Sequence, residues 1–170
     1  ELQRLQEEFL VEYTYNSNAI EGNTLTLQET ALVLEGITID RKPLKDHLEA
    51  VGHKDAFLYV QDLVKEKAPF SGSIIKQIHT LILIDRPEDR GVYRRIPVKI
   101  MGAYHTPPEP VVVPEQMEKL VKEFSKKKLH PIESAALFHL KFEGIHPFVD
   151  GNKRIGTHAM LVFLDINNIT

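Results

Sequence analysis

His146-Pro147-Phe148-Val149-Asp150-Gly151-Asn152-Lys153-Arg154 gathers more chemically capable side chains than any other stretch of this chain. It offers a base that titrates near neutral pH (His146), a hard oxygen ligand (Asp150) and an unhindered backbone (Gly151). A side chain that both donates and accepts (Asn152) and two cations (Lys153, Arg154) complete it. Residues 155–166 follow as a mostly apolar, Gly- and Pro-poor run of helical length, so Gly151 to Arg154 lie where a loop becomes a helix. The first N–H groups of a helix have no intrahelical partner and carry the positive end of the dipole. Such a junction can seat a di- or triphosphate.

Upstream, Pro131 opens the helix that leads into this loop, with Ile132, Ala135, Ala136 and Leu140 as its expected core face. The Ala135-Ala136 pair permits close helix contact, which suits the centre of a bundle. Pro147 ends the helix and leaves His146 at its exposed last turn, while Phe148 turns inward as an anchor. His139 and His146 stand two helical turns apart, but no His-Glu-x-x-His or similar ligand spacing accompanies them. His139 therefore reads as a capping or core histidine rather than a zinc ligand.

From the start, Leu2, Leu5, Phe9, Leu10 and Tyr13 draw one apolar stripe along a helix that ends near Gly22 and Asn23. Thr26 with Glu29 fits a capping box for a short helix over 27–35, stopped by Gly36. Pro43 can open a long helix to about Lys67, with Leu44, Leu48, Val51, Leu58 and residues 60–64 as core positions; His47 and His53 on it read as packing or surface histidines. Ser73 can cap a helix carrying Ile74, Ile75, Ile78, Leu81 and Ile82. Between Asp85 and Pro114, glycines and prolines break any helix, and residues 92–100 alternate like a short strand, as in a β-hairpin or extended loop. Val113, Met117, Leu120, Val121 and Phe124 return to helical spacing.

The whole composition agrees with one domain. The chain has 170 residues, 42% hydrophobic and 26% charged, enough for a proper core. It has no cysteine, so disulfides and thiolate metal sites are excluded. No apolar run approaches the roughly 18 residues that span a bilayer, and no signal peptide precedes the first helix, so the expected location is cytoplasmic. A net charge of -3 argues against a nucleic-acid surface. Lys126, Lys127 and Lys128 read as a solvated helix end.

The nine-residue stretch resembles the signature of the Fic/Doc family, His-x-Phe-x-Asp/Glu-Gly-Asn-Gly/Lys-Arg. The resemblance implies an all-α, compact Fic-like helical bundle with one small β-hairpin flap. It divides the chain into an N-terminal inhibitory helix, 1–22, and a Fic core, 23–170, that stops short of the family's usual last helix. It implies a transferase that moves AMP from ATP, with Mg²⁺, onto a Ser, Thr or Tyr hydroxyl of a target protein. His146 would be the base, Asp150 the metal ligand, and Gly151, Asn152, Lys153 and Arg154 the phosphate seat. Ser17 and Glu21 resemble the family's inhibitory motif Ser/Thr-x-x-x-Glu-Gly/Asn. Pro97, Val98, Lys99 and Ile100 are similar to its flap, along which a target docks by β-augmentation. No nucleic acid or membrane partner is implied, and a homodimer is compatible.

Two departures bear on phosphate recognition. Lys153 stands where most AMP-transferring members have a second Gly, a form found in Doc-like members that pass on the γ-phosphate as kinases. Thr157 stands where many have a second Arg, the usual partner of the inhibitory Glu. Glu21 can instead reach Arg154 or Lys153, and the sequence leaves both open. Phosphoryl transfer is thus the second reading, and a nucleotide-binding regulatory module without chemistry the third.

Overall fold

The computed structural model describes residues 1–125 and 129–166. Seven α-helices follow one another among these residues: α1 (Leu2–Ala19), α2 (Leu27–Leu34), α3 (Leu44–Lys65), α4 (Gly72–Ile82), α5 (Val113–Phe124), α6 (Pro131–Ile145) and α7 (Asn152–Ile166). A single 3₁₀ turn (Pro110–Val112) leads into α5. The expected helical bundle is therefore present, and the lysines at 126–128 lie outside the described residues.

Helix α7 sits at the centre, packed against α3, α4 and α6. Its Ile155, Ala159 and Val162 are fully buried among Ile75, Ile78 and Ile82 of α4 and Phe138 and Phe142 of α6. Small residues let the helices approach. A Cβ on Gly52 of α3 would collide with the backbone carbonyl of Leu81, so α3 and the end of α4 can meet only because that side chain is absent. Helix α2 closes a smaller apolar cluster of Leu25, Val33 and Ala50 against α3.

Local signals start the helices. Thr26 Oγ1 accepts from Glu29 N–H at 3.2 Å, and Glu29 Oε2 accepts from Thr26 N–H at 2.8 Å. This is the capping box expected for α2, and such caps are worth about 1 kcal/mol. For α4 the cap is Ser71 rather than Ser73. Ser71 has the extended backbone an N-cap needs, and its hydroxyl accepts from Ile74 N–H at 3.4 Å.

Several expected core positions face outward. Leu44 is 72% exposed and Leu140 68%, and Leu58 and Ile132 are exposed as well. On α6 the inward stripe is Ala135, Phe138 and Phe142, because the aromatic rings supply far more apolar area than Ile132 or Leu140. Phe138 stands edge-on to both Phe70 and Phe124. On α1, Leu5 and Phe9 remain largely exposed, and docking falls to Tyr13 and the fully buried Thr14. Thr14 Oγ1 lies 3.1 Å from Nδ1 of the buried His53, so that histidine is a packing residue.

The expected β-hairpin does not form a sheet. Among the described residues no strand is present, and the 92–109 segment closes only a turn in which Ala103 N–H donates to Ile100 O. Pro97 has no N–H, and the carbonyl of Ile96 accepts from Arg94 instead of a facing strand. Alternation survives without a ladder: Val98 and Ile100 are half-buried, and Pro97 and Lys99 are exposed.

Candidate active site

Helix α6 ends at Ile145, and His146 follows in the left-handed conformation with φ 49° and ψ 61°. That backbone costs a residue with a Cβ on the order of 1–2 kcal/mol, so it persists only where neighbours hold it. Arg94 is the main holder. Its side chain is buried, and Nε donates to the carbonyl of His146 at 2.8 Å. The guanidinium also donates to the carbonyls of Ile145 and Pro108, while the Arg94 N–H donates to Pro147 O at 2.9 Å. These include carbonyls that a helix C-terminus leaves without partners, and a cation there meets the negative end of the dipole. Burial lowers the guanidinium pKa from its ordinary value, yet an arginine remains charged.

The loop is then fixed from inside. Phe148 is fully buried and stacks on His79, with ring centroids 3.8 Å apart and planes 17° apart. Nδ1 of His79 accepts the Gly91 N–H at 2.8 Å, so its hydrogen sits on Nε2, which points at Asp150 O at 3.3 Å. Burial pushes the His79 pKa down to about 4, leaving a neutral ring with one tautomer. Asn152 accepts from Phe148 N–H at 3.0 Å and donates to Phe148 O at 2.9 Å. The amide oxygen and one amide hydrogen thus hold the loop, and what Asn152 can still offer an anion is its second amide hydrogen and its backbone N–H at the start of α7.

Gly151, with φ 76°, makes the turn into α7. Its N–H donates to Oδ1 of Asp150 at 2.6 Å. The Asp150 carboxylate is one-third exposed, with Arg86 at 3.5 Å and Arg154 at 3.8 Å. Mg²⁺ takes one or two protein carboxylates and completes its shell with phosphate oxygens and water. A single accessible carboxylate beside a helix N-terminus fits that habit. Among the described residues no cluster of three or more such ligands exists.

The two cations differ sharply. Arg154 is 3% exposed and shares its charge among Asp150, Glu49 at 3.8 Å and the side-chain oxygen of Asn18 at 3.5 Å, while its Nε has no partner. Lys153 is 62% exposed, and Glu21 Oε1 lies 3.4 Å from its Nζ. Of the two partners open to Glu21, the structure pairs it with Lys153. Glu21 is held in a turn whose N–H groups, from Glu21 and Asn23, both donate to the carbonyl of Asn18. Ser17 lies half-buried one turn earlier on α1. Thr157, in place of a second arginine, returns its hydroxyl to the carbonyl of Lys153 at 3.0 Å.

His146, Asp150, Asn152, Arg154, Lys153 and Glu21 are thus brought together, and Pro97 lines a cleft of about 680 Å³ along the base of the flap segment. That cleft holds none of the motif residues; the motif loop borders a smaller hollow of about 140 Å³ between Val149 and Arg95. Sequence reading missed Arg94, His79 and Glu49. Arg94 and Arg95 are adjacent and alike, and only burial says which one turns inward. His79 is one of several histidines on apolar helix faces, and Glu49 lacks any local motif.

A family profile described as Fic/DOC family matches residues 69–164. Proteins named "Protein adenylyltransferase Fic" from Drosophila grimshawi and Drosophila melanogaster are 35% identical over 169 residues, covering 96% of this chain and 34% of theirs. The chain therefore spans about a third of the length of these curated relatives. A solved Fic domain containing signaling protein from Bacteroides thetaiotaomicron superposes with a TM-score of 0.91 at 32% identity, over 98% of this chain and 66% of that one. Fic-1 from C. elegans gives a TM-score of 0.82 at 30% identity, over 92% and 48%. No helix of the described residues is long and apolar enough to cross a membrane.

Proposed function

Because the chain belongs to the Fic/DOC family, we propose that it transfers AMP from ATP to a hydroxyl of a target protein. The observation that carries this reading is His146, turned out of α6 in a locked backbone beside the N-terminus of α7. In the proposed step the hydroxyl oxygen attacks the α-phosphorus and its proton passes to His146. The bond from the α-phosphorus to the bridging oxygen breaks, and pyrophosphate leaves. The first N–H groups of α7 and Arg154 stabilise the phosphate charge. Asp150 would hold Mg²⁺, which supplies further charge neutralisation when bound. The extended flap segment, with Val98 and Ile100 half-buried and its backbone unpaired to a second strand, offers a main-chain edge to the target.

Glu21 acts as a restraint in this reading. Its carboxylate pairs with Lys153 over the seat of the phosphates, so it competes with a nucleotide for that cation and repels the triphosphate.

Lys153 favours a second outcome, transfer of the γ-phosphate, since an ammonium over the helix start can draw the terminal phosphate inward. Incubation with target and ATP labelled at the α- or γ-position separates the two. Product carrying only the α-label, lost in His146→Ala with ATP affinity kept within a few fold, is the expected result. General base catalysis is worth about 10²- to 10⁴-fold. Product carrying only the γ-label, or full activity in His146→Ala, would overturn the assignment.

A further inference from the structure

Among the buried side-chain atoms without a hydrogen-bond partner, three lie close together along the end of α6 and its C-cap: Nδ1 of His139, Oε1 of Glu143 and Nδ1 of His146. They are not scattered. His139 and Glu143 lie one turn apart on α6, and Glu143 Oε2 stands 3.7 Å from His146 Nδ1. Opposite them is Gly156 of α7. A Cβ there would stand 2.7 Å from His139 Nδ1 and 3.3 Å from Glu143 Oε1, so both atoms converge on the space that a missing side chain leaves open. Buried polar atoms without partners are few in folded proteins, and three within two helical turns, one of them on the proposed base itself, call for a role.

We propose that Glu143 is the positioning residue of the His146 base, itself oriented by His139. Its Oε2 accepts the Nδ1–H of His146, and the neutral imidazole is thereby held in the tautomer that keeps the lone pair on Nε2 for the acceptor hydroxyl. Oε1, without a partner in the present rotamer, accepts from His139 Nδ1 after a small turn of the carboxylate, which fixes the carboxylate plane. The terminal torsion of a glutamate is broad, so a modest rotation brings the 3.7 Å approach to hydrogen-bond length. As His146 takes the hydroxyl proton at Nε2 it becomes an imidazolium, whose charge Glu143 faces without taking a proton itself. Gly156 keeps α7 close enough to shield this line from water. Nothing in the nine-residue motif contains Glu143 or His139.

The proposal rests on His146 being the base, and the test reads tautomer and turnover separately. Nitrogen-15 NMR of the histidine rings in the full chain, with His146 assigned by its loss in His146→Ala, should find the Nδ1–H form in the neutral ring. Glu143→Leu should give a mixture of tautomers, with kcat down about tenfold to a hundredfold and KM for ATP within about twofold. Glu143→Gln retains an acceptor but no charge, so it should keep the tautomer and fall between the two in kcat. A neutral His146 carrying its hydrogen on Nε2 in the wild type would overturn the proposal. So would a tautomer unchanged in Glu143→Leu, or a loss confined to KM. Should His146→Ala keep transferring, the base assignment falls while the tautomer still decides whether Glu143 positions the ring.

Discussion

Arg94 Nε lies 2.8 Å from the carbonyl oxygen of His146, a residue that is distant in sequence and bound to it through backbone alone. The side chain of His146 is therefore aimed by a hydrogen bond to its own peptide. The arginine comes from the flap segment, so the element that would meet a target and the residue that would deprotonate it share one anchor.

Arg94→Lys should lower transfer at least about tenfold while ATP affinity stays within about threefold. A lysine is a point charge on a flexible stem and cannot span the carbonyls of Ile145, His146, Ile96 and Pro108. Melting temperature should fall by several degrees, since hydrogen bonds to charged groups are worth about 1.5–3 kcal/mol each. Unchanged turnover with only a lower melting temperature would make Arg94 a fold residue and nothing more.

Glu21→Gly should raise transfer about tenfold. Two unit charges about 4 Å apart are worth roughly 4 kcal/mol at an effective dielectric near 20, and the exposure of Lys153, the cation for which Glu21 and a phosphate compete, cuts this to about a third. The remaining ~1.4 kcal/mol is a factor of ten. Because one partner is exposed, the wild type should also speed up with added salt more than the variant does. Equal rates for the two proteins at low salt would remove the restraint assigned to Glu21.

Acid should destabilise the fold steeply. Burial pushes His79 and His158 down to about 4 and His53 well below its ordinary value, so all three are neutral when folded. The unfolded chain protonates them from about pH 6.5 downward and binds more protons than the native state. Stability is then full above about pH 6.5 and lost as pH falls toward 4, at about 1.4 kcal/mol per pH unit for each ring. Urea unfolding between pH 7.5 and 5 measures the slope, and His158→Gln should remove one ring's share of it. A flat profile over that range contradicts the neutral assignments.

Gly52→Ala should destabilise by about 2 kcal/mol or more, because the added Cβ meets the backbone carbonyl of Leu81, which has no rotamer to yield. The comparison is Gly36→Ala, where open space surrounds the position but φ is 90°. There the loss should come from backbone strain alone and amount to about 1–2 kcal/mol. Denaturant midpoints of the two variants separate crowding from strain.

The sequence spoke clearly where chemistry or capping was local. The motif loop, the capping box at Thr26 and the breaks at Gly36 and Pro131 depend on neighbours a few residues away. It spoke less clearly where a choice was made by tertiary packing. Ile132 and Leu140 have helical spacing but lost the core to Phe138, which sits between Phe70 and Phe124, and to Phe142, which packs on Phe138 and Phe148. The 92–100 alternation is real, yet a strand needs a facing partner, and Pro97 with the Arg94–Ile96 contact removes one. Arg94, His79 and Glu49 act over separations that no motif spans, and Glu21's choice of Lys153 depends on how α1 lies across α7.

The paired hydrogen bonds between Asn152 and Phe148 have a further consequence for exchange with solvent. A carboxamide that both accepts from and donates to one residue imitates a neighbouring strand, so the Phe148 peptide is protected like a rung of a sheet although it lies in a loop. Its amide hydrogen should be released only with the opening of α7 itself. A turn built this way already has its shape, and the phosphate seat proposed for it would need no rearrangement of its N–H groups. Aspartate at 152 would keep the acceptor and lose the donor, leaving Phe148 O without its partner inside the protein.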